Sequence, residues 1–467
     1  FKQKTAYEIS LGLVGSEMCI RDRHIVGMAL ERKWRVEEAY RLIKRSYNYR
    51  DLSYDDFMAV LRYLAGKHSW MESHNVYAKI WLDEEEGIFG RRGKNTRMIY
   101  FLNSGTIPDE AKIKVRSTDG RFIGFLEEAF LQILTPGDIF VLGGRTYEFL
   151  RSRGTTAVVR PATGQRPTVP TWFSEMLPLA FDSAMLVSKF RRRVAEKVRK
   201  EPKEEVLKWL MKRYRLQRHA AESIYNYFLE QLLFTNGLVP SDKLLLIEIF
   251  DEGTRVNVIF HSLIGRRGNS ALGRAYAYLA SKLAKTSVGV TITDNGFMLT
   301  LPGRAKLDVE KLLRELRSDN IRDVLVKALA RTELLTRIFR HCAVRAFMIL
   351  RRYYDAEKSV NKLQLNAQSL LAVVRDIPDF PVLKEAYREI LEDKMDVKAA
   401  QQYLKWLEDG KIRVRILGPS PVPSPFAHGI VTHGYSDVVL MEDRKKLLER
   451  LHEAVLSHIS AKNPRAY

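Results

Sequence analysis

Cysteine is almost absent: Cys19 and Cys342 are the only two in 467 residues. Two thiols cannot supply a disulfide framework, a zinc ribbon, a Cys-ligated iron–sulfur cluster or most structural zinc sites. Their scarcity suits a reducing, cytoplasmic setting. Long apolar runs are missing too. None approaches the ~18–20 residues that a membrane helix requires, so no membrane partner is expected. Acid is in short supply, with 56 Asp and Glu against 77 Lys and Arg, a formal net charge of +21. The chain is nevertheless 46% apolar, enough for several buried cores, and its length allows about three domains. A positive surplus on such a chain points first to a polyanion, usually nucleic acid, with a charge-rich thermophile surface as the competing reading.

The motifs of nucleotide and acyl chemistry are also missing. No Gly-x4-Gly-Lys-Ser/Thr loop occurs. Gly87…Gly93-Lys94-Asn95 has one residue too many between the glycines and Asn in place of Ser or Thr. Asp109-Glu110-Ala111-Lys112 follows a Pro-containing turn rather than an apolar strand. Leu244–Phe250 followed by Asp251-Glu252 resembles a Walker B strand end, but reads better as a strand entering an Asp-Glu-Gly turn. His428 and His433, or His341 beside Cys342, lack metal-ligand spacing, and no Ser/His/Asp set stands out. No catalytic residues, metal ligands or cofactor are therefore assigned to this chain.

Residues 1–23 show no clear helix or strand period and resemble the translation of a sequencing adapter, so the native chain is expected from His24. From there to about Gly66 the apolar spacing is helical, through Val26, Leu30, Trp34, Tyr40, Ile43 and Tyr47. Ser53 with Asp56 marks a helix start before Phe57, Val60, Leu61 and Leu64. Strand-like runs at Val76–Leu82 and Ile88–Phe89 flank the turn Glu84–Gly87. Three helices and such a hairpin over 24–96 predict a winged helix. Over 97–170 the period becomes two, at Ile113–Arg116, Ile139–Leu142, Tyr147–Leu150 and Ala157–Arg160. That predicts a small antiparallel β module ending in a Pro-rich linker. Residues 171–467 read as one mostly helical module. Its β-hairpins include Val288–Leu301, where Asn295-Gly296 is expected to supply the turn. The expected fold class is α+β and multidomain, without RecA-like motor domains.

Three basic sets are candidate phosphate contacts. Arg91, Arg92, Lys94 and Arg97 follow the expected wing. Arg191, Arg192 and Arg193 lie in Lys189–Lys200, which has seven basic residues and one acidic residue in twelve. Solvated charge is the plainer account of such a run. Arg266 and Arg267 stand between glycines in an expected loop, where exposed amides and guanidinium groups suit a phosphate or a neighbouring domain's acids. Trp172, in Pro170-Thr171-Trp172-Phe173, either stacks on a base or seals a domain junction. Trp34, Trp209 and Trp406 read as core.

The blocks HIVGMALERKWRVEEAYRLIKRSYNYRDLSYDDF, LNSGTIPDEAKIKV, PGDIFVLGGRTYEF, GQRPTVPTWFSEMLPL, VIFHSLIGRRGNSALGRAYAYLAS, DNGFMLTLPG, SPFAHGI and GYSDVVLMEDRKKLLERLHEAV follow one another in this chain. Over 24–467 it resembles the C-terminal part of the archaeal large helicase-related (Lhr) clade of superfamily 2. The resemblance implies a winged helix and a clade-specific module that follow two RecA-like motor domains in one parent chain. That parent is implied to be an ATP- and magnesium-dependent 3′-to-5′ DNA helicase serving repair. Its partners would be single-stranded DNA, a duplex junction or a DNA–RNA hybrid. The stacking aromatic is implied at Trp172, with Tyr147 as the alternative. A stand-alone winged-helix regulator and a protein scaffold are the rival readings.

Overall fold

The computed structural model describes residues 17–462, apart from 69, 72, 73, 75, 104–111, 132, 133, 135, 144, 154, 155, 163–176, 354, 355, 359 and 435–440. The chain folds as two compact units, and neither is continuous in sequence. One comprises residues 1–137, 148–161 and 329–394. The other comprises 138–147, 162–328 and 395–467.

The first unit opens with helices Glu17–Glu31, Val36–Lys44 and Tyr54–Leu64, followed by strands Ile80–Asp83 and Ile88–Arg91. Helix Tyr54–Leu64 starts as its sequence dictates: the Asp56 N–H donates to Ser53 Oγ at 3.1 Å. Its i, i+3, i+4, i+7 set of Phe57, Val60, Leu61 and Leu64 is fully buried. Gly66, at φ 71°, then closes the helix in a left-handed conformation that a side chain would resist. The hairpin gains a third strand, Trp34–Arg35, pairing Trp34 with Phe89. Trp34 is buried core, as expected, but in a strand rather than at helical spacing.

Two expected boundaries of this unit fall within structured elements. The expected start at His24 falls inside a helix that begins at Glu17, and Arg21, Asp22 and Arg23 are buried. Arg23 donates to Arg345 O at 2.6 Å and its guanidinium lies 4.7 Å from the Phe347 ring. The second boundary follows from these contacts. Helices Glu333–Arg345, Val360–Val374 and Pro381–Arg388 belong with the winged helix rather than with a continuous 171–467 module. Tyr63 Oη donates to Ala346 O at 2.8 Å, Lys384 pairs with Asp56 at 2.7 Å, and Phe380 packs edge-on to Tyr63.

The period-two runs of 97–170 are strands, at Lys112–Ser117, Ile139–Leu142, Arg145–Arg153 and Thr156–Pro161. They are not all antiparallel: Lys112–Ser117 pairs parallel with Thr156–Pro161. Phe122–Glu127, which carries a mid-strand glycine and was not anticipated, pairs antiparallel with Lys112–Ser117 and forms an edge of that sheet.

In the second unit, helices Phe181–Lys200, Lys203–Tyr214 and Arg218–Phe234 pack around Val194, Leu207, Leu210, Phe228 and Phe426. A five-stranded sheet runs in the order Gly289–Thr293, Gly296–Pro302, Arg255–Phe260, Leu244–Asp251, Arg413–Ser420. The last strand is parallel to its neighbour and the rest are antiparallel. Both faces are covered. Phe260, Phe297 and Tyr276 of helix Gly265–Ala284 stack on one, while Phe250, Ile259 and Met298 meet Ile430 and Val431 on the other. This double burial explains the unbroken apolar run Leu244–Ile247. As read from the sequence, the run ends in a turn: the Gly253 N–H donates to Asp251 Oδ1 at 2.8 Å.

Candidate nucleic-acid interface

The four basic residues after the wing are all exposed, but they do not lie on its tip. The tip is Asp83-Glu84-Glu85-Glu86-Gly87, with Glu84 held by Arg62 at 2.7 Å, so it would repel a phosphate backbone. Arg91 ends the returning strand at the hairpin's base, Arg92 follows, and Lys94 and Arg97 sit on helix Lys94–Leu102. Thr96 Oγ1 donates to Lys79 O at 2.9 Å and pins that helix to the hairpin. Lys94, Arg97 and Phe101 recur at i, i+3 and i+7, so they share one helix face. The Arg97 guanidinium lies 5.8 Å from the Phe101 ring, which is 62% exposed. Phe101 went unnoticed in the sequence, although its spacing from Arg97 is a usable signal.

In the second unit the other two basic sets converge on one turn. The Asp294 carboxylate accepts the N–H of Leu179 at 2.9 Å and that of Arg266 at 2.8 Å. Next to it, Asn295 Oδ1 accepts from Arg191 Nη2 at 3.0 Å. Asn269 Nδ2 donates to Thr293 O at 2.9 Å and fixes the turn from below. The turn's own chemistry differs from the expectation. Thr293 pairs with Gly296, so Asp294 and Asn295 are the two loop residues, and Asn295 is not at positive φ. Gly296 opens the return strand instead, where a Cβ would come within 2.1 Å of Phe260 O.

The element that carries Arg266 and Arg267 differs from the expected loop. They lie in the first turn of helix Gly265–Ala284, not in a loop, and both are half-buried. Ile264 at the N-cap offers no side-chain acceptor, and Asp294 supplies one from 28 residues away. An acid thus occupies the N–H of Arg266, where the sequence left a phosphate and a neighbouring domain's acids both open. Arg267 donates to Met395 O at 3.4 Å, and its own carbonyl accepts the Asp396 N–H at 3.2 Å.

The three arginines of helix Phe181–Lys200 have different fates. Arg191 lies over the Phe426 ring at 4.8 Å, and burial lowers its pKa to about 10, which leaves it charged at neutral pH. Arg192 is held by Asp242 at 2.8 Å and Glu196 at 3.3 Å. Arg193 is exposed. Trp172 lies outside the described residues. Its alternative, Tyr147, is only 8% exposed, so its ring is not presented for stacking. Trp209 and Trp406 are half-buried: Trp209 sits edge-on to Tyr214 and Trp406 stacks on Phe181.

One polar cluster was invisible in the sequence. Glu248 accepts from Ser424 Oγ and, at 3.0 Å, from the Ser424 N–H, and lies 2.7 Å from His261 Nε2. Burial pushes its carboxyl pKa up, but the His261 and Ser424 contacts outweigh that and leave it below the ordinary value. The carboxylate stands between serine and histidine, so the histidine cannot take the serine proton as in a nucleophilic triad. All three are buried, and the cluster ties strand Leu244–Asp251 to the segment before Pro425. Among the described residues no group of three or more His, Cys, Asp or Glu could hold a metal ion, and no helix is long and apolar enough to cross a membrane.

Comparison with known proteins agrees with this architecture. Residues 21–169 match the winged-helix domain of large helicase-related proteins, and 239–427 match the DEAD/H-associated family. The chain is 52% identical over 438 residues to the ATP-dependent helicase Lhr-Core protein 2 of Thermococcus barophilus, covering 94% of this chain and 50% of that protein. It is 51% identical to the ATP-dependent helicase Lhr-Core of Sulfolobus acidocaldarius, over 91% of this chain and 48% of that one. It thus spans about half the length of the curated relatives it matches. The fold resembles that of Mycobacterium smegmatis helicase Lhr bound to ssDNA and AMP-PNP, with a TM-score of 0.63 at 21% identity over 89% of this chain and 48% of that one. The chain belongs to the Lhr, or large helicase-related, family, as an Lhr-type C-terminal region.

Proposed function

We propose that this chain is the nucleic-acid-gripping region of an ATP-dependent 3′-to-5′ DNA helicase, holding single-stranded DNA beside a duplex while motor domains of the same parent chain step along it. The observation that carries this reading is the half-identical match, across more than nine-tenths of the chain, to proteins named ATP-dependent helicases. The exposed set Arg91, Arg92, Lys94 and Arg97 supports it, since these side chains reach solvent on one stretch of the surface. Arg193 supports it in the second unit. ATP and magnesium belong, in this reading, to the parent's RecA-like motor. The sequence here carries no loop that would cradle phosphates. Trp172 is the proposed stacking residue.

Binding of a labelled single strand, a duplex and a DNA–RNA hybrid tests the proposal. Affinity for the single strand with little base preference, falling steeply with salt, is the expected result. Sequence-specific duplex binding would instead make the chain a regulator, and no binding at low salt would make it a scaffold. Joined to its motor domains, the Trp172→Ala protein should lose unwinding more than it loses binding. Equal losses would reduce Trp172 to a structural role.

A further inference from the structure

Ile123 has no residue opposite it. In the antiparallel pair of Lys112–Ser117 with Phe122–Glu127, Val115 faces Gly124 and Arg116 faces Phe122, so Ile123 is the extra residue of a β-bulge. Positions 122 and 125 of a regular strand point to opposite faces. The extra residue reverses that alternation, and both phenylalanines come to one side with ring centroids 5.1 Å apart at 65°. Neither is packed away: Phe122 is 49% exposed and Phe125 is 50% exposed. The inward face is supplied instead by Ile113 and Val115, both buried.

The cross-strand neighbours of the two rings are basic. Lys114 stands opposite Phe125, and Arg116 opposite Phe122. On their other side these residues pair with Thr156 and Val158, whose short side chains keep the face low and open. Arg116 is exposed and donates to Gly120 O at 2.9 Å, which holds it beside the turn, and exposed Arg121 follows. The acid of that turn, Asp119, is engaged by Ser117 Oγ and by the Arg121 N–H at 3.1 Å. Glu127, also exposed, closes the far end.

Two solvent-facing rings set in a basic rim match a ligand that offers flat π-faces on a chain of negative charges. An apolar protein surface would use the rings but would leave Lys114 and Arg116 facing nothing of opposite charge. We infer that Phe122, Phe125, Lys114 and Arg116 form a stacking platform for single-stranded nucleic acid. It is made of different residues from the basic helix face of Lys94 and Arg97. The inference rests on the nucleic-acid reading above and adds a site to it.

Fluorescence anisotropy of labelled oligothymidylate and oligouridylate, titrated with the full chain, tests the platform, the two oligomers separating a DNA from an RNA ligand. The Phe122→Ala/Phe125→Ala protein should bind one or both about tenfold more weakly or worse, with the same salt dependence. The Lys114→Gln/Arg116→Gln protein should lower the slope of log affinity against log salt by about 1–2. Far-UV circular dichroism checks that each variant folds. In case the alanine pair does not fold, Phe125→Trp supplies a second readout: the fluorescence of the introduced indole, taken as the difference from the unmodified chain, should be quenched by saturating oligomer. Undiminished binding by the alanine pair, or an unmoved signal from that indole, overturns the platform alone. Failure of the unmodified chain to bind either oligomer overturns the proposed function and the platform with it.

Discussion

Asp294 caps a helix to which it does not belong: its carboxylate takes the backbone N–H of Arg266 at 2.8 Å, across 28 residues. The same oxygen takes the N–H of Leu179, so one side chain closes the approaches to two helices. Asp294→Ala should therefore cost about 1–3 kcal/mol of stability, more than a local cap, because two donors lose their acceptor. Asp294→Asn, which keeps an acceptor oxygen but loses the charge at the helix start, should cost less. Urea denaturation of both proteins distinguishes them, and an equal loss would remove the charge from the explanation.

Arginines that look alike in the sequence should separate in experiment. Arg97→Gln, on an exposed helix face, is expected to weaken oligonucleotide binding and lower the salt slope by about 1, with stability within ~0.5 kcal/mol of the parent. Arg192→Gln should do the reverse. It leaves Asp242, whose side chain is only 6% exposed, without its closest cation, at a cost of about 1–3 kcal/mol and with little change in binding. A salt slope altered by Arg192→Gln and not by Arg97→Gln would reverse the assignment.

Lys79 is fully buried, 6.0 Å from the Tyr63 ring, and burial brings its pKa down to about 7. Between that value and the ordinary lysine range near 10.5 the unfolded chain binds more protons than the folded one. Stability should therefore rise with pH through this window, and the full cost of burying the charge is present below about pH 7. Lys79→Met should remove the dependence and stabilise the protein at pH 7 by about 2–4 kcal/mol. Chemical denaturation from pH 6 to 10 measures both; a flat profile for the parent would contradict the account.

Ser424→Ala removes a hydroxyl donor from Glu248 and leaves it the backbone N–H. A loss of about 1–3 kcal/mol is expected, since a buried carboxylate is left with fewer donors. Glu248→Gln should be at least as costly, because one of its neighbours must then face an N–H₂ group. Neither change should alter oligonucleotide binding by the folded protein. A binding defect without a stability defect would give this cluster a functional role.

Local signals were legible in the sequence, and long-range closures were not. Ser53 announced its helix because cap and helix are three residues apart, and the strand pair Leu244–Asp251 and Arg255–Phe260 announced itself by apolar runs around a turn. Helix Gly265–Ala284 concealed its start because the capping acid comes from a hairpin further along the chain. Phe122–Glu127 was missed because the bulge at Ile123 breaks the alternation that betrays a strand. Of the candidate site, residue types were readable and their partners were not. Nothing local to Arg192 tells that Asp242 will hold it, while Arg193 one position later stays in solvent.

Tyr63 and the carbonyl of Ala346 that it donates to are separated by 283 residues. On a ribosome adding about 5–20 residues per second, the second arrives roughly 15–60 seconds after the first. For that interval the winged helix is a nascent domain with an open flank, where Phe347 and Phe380 have yet to be made. The chain must therefore be synthesised through the second unit's strands and helices up to Ala328 before its first unit can close.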